Sequence, residues 1–319
     1  MRGHLDQVKE RDRLKVIFVT SSSHSGSTLL DLMLNAHPEV ISVGELKQLG
    51  RFARLAKKKG AHRCTCGAES VWHCPFWTGV NAATKRAIDR KIDQLNVENY
   101  ESLETFDQDN VALFKAISIT AGKQFVVDSS KSRTRLKLLL ANRKLDIFPI
   151  FLMRDPKGQI YSSAKKRRNQ RSLAKLIADY VVTNREIYNL IKHRPHAVVR
   201  YEQLVQNPEH SLSLLMQQFG LAFHPHQLDW AVQERHNVGG NHMRWGTTSE
   251  LKLDETWRQK LSLAQKLAID AATLPGRLPF LKFGPPNWRM IHDVTRADES
   301  GHKMDGLSRS VEDHRGDAA

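Results

Sequence analysis

The nine residues Thr20-Ser21-Ser22-Ser23-His24-Ser25-Gly26-Ser27-Thr28 lie between an apolar run, Lys15–Val19, and a helical pattern, Leu29–Asn35. This order predicts a strand, a tight loop and a helix. Small hydroxyl residues and one glycine allow the backbone to curl, so that its N–H groups and the positive end of the helix converge on an anion. The stretch predicts a phosphate-binding loop, although a Ser-rich turn that only caps a helix has a similar composition.

The loop differs from that of a kinase or NTPase at one position. A Walker A loop places a Lys directly before its final Ser or Thr, where it reaches the β- and γ-phosphates, and this chain has Gly26 there. The missing Lys predicts a ligand that carries a 5′-phosphate and a transferable group of another kind.

The charge of the chain predicts an anionic partner. Its 319 residues carry a formal net charge of +15, and 7% of them are aromatic. Such a charge suits nucleic acid, an acidic membrane, a polyanionic glycan or a charged nucleotide. No basic run is interleaved with aromatic residues, which argues against single-strand binding by base stacking, and we expect no nucleic-acid partner.

The ends of the chain differ in composition from its centre. Residues 1–15 are charged, and the longest apolar runs are far shorter than the ~20 residues of a membrane span. We therefore expect neither a signal peptide nor a membrane anchor, and a cytoplasmic location. We divide the chain into an N-terminal extension (1–14), one domain (15–288) with a helical insertion at about 51–114, and a disordered tail (289–319).

Repeated strand-loop-helix units predict the fold class. After the first unit, Gln124–Val127 and Ile147–Met153 each end in polar residues followed by a helical pattern, and we expect Pro149 to break the second run. Val40–Val43 and Ala197–Val199 indicate two further short strands. This alternation predicts an α/β fold of three layers with a mostly parallel central sheet, whose ligand site lies at the carboxyl ends of the strands.

Three cysteines lie in one short segment. Cys64, Cys66 and Cys74 have the spacing of a tetrahedral zinc site if His62 or His73 is the fourth ligand. Joint ligation by the adjacent His73 and Cys74 is awkward, so we favour a loop of partly buried, reduced thiols without a metal. The aromatic residues expected to pack this loop onto the domain are Trp72, Phe76 and Trp77.

Several motifs occur in an order that is typical of one enzyme family. They are Ser22–Thr28 with His37-Pro38 and Gly44-Glu45, then Asp128–Lys131, Arg154–Ser163 and Arg200–Leu204. Over about residues 15–284 they resemble the sulfotransferases that use 3′-phosphoadenosine-5′-phosphosulfate (PAPS), in particular the branch that includes protein-tyrosine sulfotransferases and many bacterial homologues. The resemblance implies transfer of the sulfonate of PAPS to an acceptor hydroxyl with no metal required.

The resemblance also implies which residues hold the donor. Arg154 and Ser162, eight positions apart, would hold the 3′-phosphate, because a guanidinium fork matches phosphate oxygens and a hydroxyl adds a donor. The loop residues that would hold the 5′-phosphosulfate are Ser23, His24, Ser25, Gly26, Ser27 and Thr28. The other implied nucleotide contacts are Lys166, Tyr201, Asn241 and Arg244, the last two in a late loop at Asn237–Trp245.

For the chemistry, the resemblance implies Glu45 as the base that takes the acceptor proton and Lys131 as the cation beside the departing phosphate. Without it, Glu45 would be a carboxylate at a helix start and Lys131 a member of a solvated basic face. His24 stands where tyrosine sulfotransferases carry Arg, so we expect it to donate one hydrogen bond, to be protonated by the anion or to share in proton transfer.

Two other functions remain open from the sequence. An atypical P-loop phosphotransferase would need a metal-binding carboxylate at a strand end, for which Asp128 and Asp155 are candidates. The hypothesis of a basic protein that binds RNA or another polyanion is supported by the net charge alone. The acceptor is not identified, although the basic insertion favours an acidic or extended one, and His236 and His242 are candidate substrate contacts.

Overall fold

A computed structural model describes residues 14–55, 63–98, 102–165 and 171–281, with the backbone alone for 275–281. Two residues of the sequence analysis, the candidate ligand His62 and the candidate nucleotide contact Lys166, lie outside these ranges. The same holds for the tail at 289–319 and for nearly all of the N-terminal extension. Within the described residues, no helix combines the length and the apolar content that a membrane span requires.

Five parallel strands form the sheet. They are β1 Leu14–Thr20, β2 Val40–Ser42, β3 Phe125–Asp128, β4 Leu145–Met153 and β5 Ala197–Arg200. Their order is β2-β3-β1-β4-β5, and every neighbouring pair is parallel. The carboxyl ends of all five strands therefore lie at one edge, where ligands bind in open α/β sheets. The predicted α/β fold with a mostly parallel sheet is confirmed.

Both faces of the sheet are buried because both faces of its strands are apolar. In β1, Val16 and Phe18 belong to one buried cluster, whereas Ile17 and Val19 belong to another on the opposite face. Such a continuous apolar strand is typical of a parallel sheet between two helical layers. Burial of each of these side chains contributes about 1.5–3 kcal/mol to folding.

The helices of the described chain surround this sheet. In chain order they are α1 Ser27–Asn35, α2 Leu49–Leu55, α3 Pro75–Ile88, α4 Leu103–Ala121, α5 Arg133–Ala141, α6 Pro156–Ala164, α7 Leu173–Ile191, α8 Tyr201–Gln206, α9 Pro208–Gln217, α10 Trp257–Lys260 and α11 Leu263–Leu281. Residues of α2 to α5 share the cluster of Val16, and residues of α1, α8 and α9 share that of Ile17.

The structure differs from the sequence analysis at the end of the insertion and at Pro149. Helix α4 continues past residue 114, the expected end of the insertion, and its Phe106 and Leu113 pack in the same cluster as β1. The expectation that Pro149 breaks its strand is wrong, since β4 is continuous. Pairing with β5 begins only at Ile150, so Pro149, which has no N–H, lies where β4 has a neighbour on one side alone.

Candidate active site

The loop between β1 and α1 has the backbone of an anion cradle. His24 and Gly26 are in the left-handed region, with φ of 66° and 90°, and Gly26 directly precedes the first residue of α1. A Cβ at Gly26 would lie 2.4 Å from Cδ2 of Tyr201. Glycine is therefore required here both by the backbone angle and by the ring packed against it.

Hydrogen bonds from outside and inside the loop hold its backbone. Gln159 Nε2 donates to the carbonyl of Ser23 at 2.7 Å, and Ser25 Oγ donates to the carbonyl of Ser22 at 2.9 Å. The hydroxyl of Ser22 donates to Asn184 Oδ1 at 3.1 Å. These bonds, two of them donated by buried hydroxyls, stabilise this shape of the loop.

Glu45 follows β2 at a point where two backbones touch. Gly44, with φ of 76°, approaches the late loop so closely that a Cβ would lie 2.7 Å from the carbonyl oxygen of Val238. The N–H of Glu45 donates to that same oxygen at 2.7 Å. This contact fixes the backbone of the candidate base.

Lys131 contacts both Glu45 and the first residue of helix α1. Its Nζ lies 2.6 Å from Glu45 Oε1 and donates to Ser27 Oγ at 3.2 Å. The side chains of Lys131 and Glu45 are 18% and 17% exposed, so the pair is largely shielded from water yet reachable. The structure thus brings together the candidate base, the candidate cation and the start of α1.

Arg154 contacts three other predicted nucleotide-binding residues, His24, Ser162 and Tyr201. Its Nη1 donates to the carbonyl of His24 at 3.0 Å and to Ser162 Oγ at 3.4 Å, and its guanidinium lies 4.6 Å from the centre of the Tyr201 ring. Its Nη2 donates to Asp254 Oδ2 at 3.0 Å. Asp254 was not found from the sequence, because an isolated polar residue 100 positions from Arg154 gives no pattern.

The late loop lies over the start of α1. The N–H of Asn241 donates to Thr28 Oγ1 at 3.3 Å, and Arg244 Nη1 donates to the carbonyl of Gly239. Burial lowers the pKa of Arg244, although the charge of Glu45 acts in the opposite direction. Both Asn241 and Arg244 thus lie close to the predicted site, in the loop where the sequence placed them.

A buried carboxyl group lies beneath the site and was also missed. Asp31, in α1, accepts hydrogen bonds from Ser42 Oγ and, at 2.6 Å, from Asn237 Nδ2. Burial raises its pKa to about 6, while its hydrogen bonds and the charge of Lys131 lower it. Asp31 joins α1, the end of β2 and the late loop. The sequence did hold one signal for this residue, an acidic side chain within the Leu-rich helix α1. A buried carboxylate needs hydrogen-bond partners, so its position indicates a polar contact.

The carboxylates that a phosphotransferase would need are engaged in structural contacts. Asp128 is fully buried and lies 2.8 Å from Arg135 Nε. Asp155 caps helix α6 by accepting from the N–H of Lys157 at 2.8 Å, directly before the helix-starting Pro156. These contacts do not favour the phosphotransferase alternative.

A cleft of about 610 Å³ opens on the His24 side of the loop. Ser22, Ser23 and His24 line one part of it, and Arg133 and Lys175 line another. This volume is in the range of small-molecule sites. The cleft therefore leaves the His24 side of the loop open to a ligand.

The two candidate substrate contacts, His236 and His242, lie in different surroundings. His242 is exposed in a short 3₁₀ turn. His236 is buried, and its ring faces the thiols of Cys64 and Cys74 rather than the phosphate loop. The cysteine segment itself packs as expected, since Trp77 is fully buried and Phe76 almost so.

Comparisons with known proteins agree with the fold. Among solved structures, the fold is similar to the sulfotransferase domain of the Synechococcus PCC 7002 olefin synthase, with a TM-score of 0.58, 21% identity, and coverage of 85% of this chain and 95% of that one. It is also similar to the sulfotransferase domain of the curacin biosynthetic pathway, with a TM-score of 0.51, 19% identity, and coverage of 81% and 96%. A search of the curated proteins found no match. The sequence model of the sulfotransferase family matches residues 16–225, and the chain therefore belongs to the sulfotransferase family.

Proposed function

We propose that this sulfotransferase takes its sulfonate from PAPS and transfers it to an acceptor hydroxyl, with Glu45 as base and Lys131 as the stabilising cation. One observation carries the proposal: Lys131 Nζ contacts both Glu45 Oε1, at 2.6 Å, and Ser27 Oγ of the loop helix, at 3.2 Å. A single ammonium group thus joins the proton acceptor to the anion cradle. In-line transfer needs both at the same place.

In the proposed reaction the hydroxyl oxygen of the acceptor attacks sulfur as the bond from sulfur to the 5′-phosphate oxygen breaks. Glu45 takes the hydroxyl proton, and the departing phosphate oxygen keeps the electron pair of the broken bond. Lys131 and the N–H groups at the start of α1 stabilise the charge that develops on that oxygen. His24 contributes a hydrogen bond at the loop, where it stands between Ser23 and Ser25.

Arg154 and Ser162 would hold the 3′-phosphate that distinguishes PAPS from ordinary nucleotides. Their side chains lie 3.4 Å apart, and the Tyr201 ring supports the guanidinium from one face. Ser23, Ser25, Gly26 and Thr28 would complete the contacts to the 5′ side. Asn241 and Arg244 of the late loop would close over the nucleotide, and Lys166 stays a prediction from the sequence.

The roles of Glu45 and Lys131 can be separated from nucleotide binding. Purified protein is incubated with radiolabelled PAPS and a panel of glycan, phenol, lipid and peptide acceptors. With the best acceptor, Glu45→Gln and Lys131→Ala should each lower turnover by orders of magnitude, because the proton acceptor or the cation at the leaving oxygen is lost. Calorimetry should show that both variants still bind 3′,5′-bisphosphoadenosine.

Matched controls remove the same charges elsewhere. Glu39→Gln changes an exposed acid just before β2, and Lys137→Ala changes an exposed base in α5. Both should leave turnover near that of the wild-type protein. Near-wild-type turnover of the Glu45 or the Lys131 variant would remove the role proposed for that residue.

A further inference from the structure

Three cysteines and His236, which directly precedes the late loop, form a second cluster apart from the loop between β1 and α1. Cys64 and Cys74 are buried and Cys66 is exposed, and the buried His236 lies beside them. Cys74 Sγ is 3.3 Å and Cys64 Sγ 3.8 Å from His236 Nδ1. Cys66 Sγ is 3.6 Å from Cys74 Sγ. All four atoms lie within 4.8 Å of one another.

Three of these distances are close to those expected between ligands of one tetrahedral metal ion. Zinc bonds of about 2.3 Å to sulfur and about 2.0–2.1 Å to nitrogen, at tetrahedral angles, place two sulfurs about 3.8 Å apart and sulfur and nitrogen about 3.6 Å apart. A disulfide would need sulfurs at about 2.0 Å. The four ligand atoms are therefore close enough together to surround one zinc ion.

The surroundings of His236 are those of a metal ligand. While Nδ1 faces the thiols, Nε2 lies 3.3 Å from Glu234 Oε1, and a carboxylate on the second nitrogen is the usual partner of a ligating His. The Phe76 ring stacks on the imidazole, with centres 4.5 Å apart and 6° between planes. Trp77 Nε1 donates to the His236 carbonyl at 2.9 Å. The ring is thus held in one orientation.

Three sulfurs lie around one imidazole nitrogen, and two of the three cysteines are buried. A thiolate is the form of cysteine that binds metals. Several sulfurs packed this closely around one imidazole would repel one another as thiolates, and a divalent cation at their centre compensates that charge.

We propose that Cys64, Cys66, Cys74 and His236 bind one structural Zn²⁺ ion. Four protein ligands close the coordination shell, so the ion has no open position for catalysis. This proposal replaces the metal-free interpretation of the thiols. It also replaces His73 as the candidate fourth ligand, because His73 Nδ1 lies 2.9 Å from Ser70 Oγ instead.

The ion would fasten the cysteine segment to the late loop beside the active site. Thr65 Oγ1 donates to the Arg235 carbonyl at 2.7 Å and accepts from the N–H of Asn237 at 2.8 Å. The next residue, Val238, accepts from the N–H of Glu45. The zinc site would thus anchor the backbone of residues 235–238, which positions Glu45. This role does not depend on which molecule donates the sulfonate.

The first test is the metal content of the full chain, purified without added metal or chelator. Plasma mass spectrometry should find one zinc per chain. Cys66→Ser and His236→Gln should each lose most of this zinc, whereas His73→Gln, the matched control, should retain it. Since Cys66 is exposed, its variant is expected to fold, which circular dichroism checks.

Cobalt provides a second readout that needs no activity. Protein refilled with Co²⁺ should show the absorption bands of a tetrahedral thiolate-rich site, and these bands should weaken in Cys66→Ser but not in His73→Gln. Wild-type protein that carries no zinc and takes up none would overturn the proposal. So would stoichiometric iron, a disulfide among the three cysteines, or full zinc content in both ligand variants.

Discussion

Lys131 contacts both Glu45 and Ser27, and its backbone conformation is unusual. Its φ of 60° lies in the left-handed region, which costs a non-glycine residue about 1–2 kcal/mol. The conformation is stabilised where its side chain contacts Glu45 and Ser27. Strain of this kind concentrates at functional sites, where the surrounding contacts determine the geometry.

Arg154 should dominate the affinity for a 3′-phosphate. Arg154→Ala removes a charge-assisted contact of about 1.5–3 kcal/mol, so the affinity for 3′,5′-bisphosphoadenosine should fall roughly 10- to 100-fold by calorimetry. Asp254→Asn should instead tighten binding several-fold, because the carboxylate that now pairs with Arg154 competes with the phosphate.

Glu250→Gln is the control for this pair of variants, since it removes the same charge from an exposed position four residues away. Its affinity should match that of the wild-type protein. Unchanged affinity in Arg154→Ala would show that the 3′-phosphate binds elsewhere, and weaker binding in Asp254→Asn would show that the carboxylate supports the site rather than competes with it.

At the scale of elements, a buried ion pair fixes the end of β3. Arg135 Nε lies 2.8 Å from Asp128 Oδ2, and both side chains are fully buried. Nη1 of Arg135 also donates to Asn110 Oδ1 at 2.6 Å. This network holds α4 and α5 against β3, three residues before Lys131.

Loss of one partner of this pair should be costly. Arg135→Ala leaves a buried carboxylate without its cation, so the free energy of unfolding should fall by about 3–5 kcal/mol in urea titrations. Arg133→Ala removes a partly exposed ion pair with Glu186 and should cost about 1 kcal/mol or less. Equal losses in the two variants would contradict the structural role of the buried pair.

Asp31 predicts a pH dependence of stability. Its folded pKa of about 6 lies above the ordinary 3.8, so folding favours the protonated acid. Its contribution is most favourable below about pH 4 and is lost as the pH rises toward about 6, by about 3 kcal/mol in total. The unfolding free energy of Asp31→Asn minus that of wild type should therefore increase over this window.

The measurement is urea unfolding of both proteins at several pH values. Asp146→Asn, at an exposed position of β4, should differ from wild type by a nearly constant amount. A constant difference for Asp31→Asn as well would show that Asp31 ionises normally in the folded protein.

Elements with local signals were predictable from the sequence. The β1-loop-α1 unit needs only neighbours in the chain, as does the strand that ends at Asp128. Contacts across the chain were not predictable. His236 approaches Cys74 from 162 positions away, and Asp254 approaches Arg154 from 100. Neither Asp254 nor His236 stands at a recognisable spacing from other polar residues in the sequence. The sequence therefore does not distinguish them from ordinary surface residues.

At the scale of the whole molecule, the strand order explains why the motifs meet. Because β1 lies between β3 and β4, the phosphate loop after β1 has Lys131 after β3 on one side and Arg154 after β4 on the other. Neighbouring strands are about 4.8 Å apart, which suits a ligand with phosphate groups at two ends. The net charge of +15 attracts such an anion from a distance.

We expect the loop after β1 and its two flanking cations, Lys131 and Arg154, to bind a 3′,5′-bisphosphate nucleotide. Calorimetric titration of the full chain with 3′,5′-bisphosphoadenosine, and separately with ATP and magnesium, tests this expectation. One bisphosphoadenosine should bind per chain, and more tightly than ATP with magnesium. Tighter binding of ATP with magnesium, or no binding of bisphosphoadenosine, would rule out this nucleotide site.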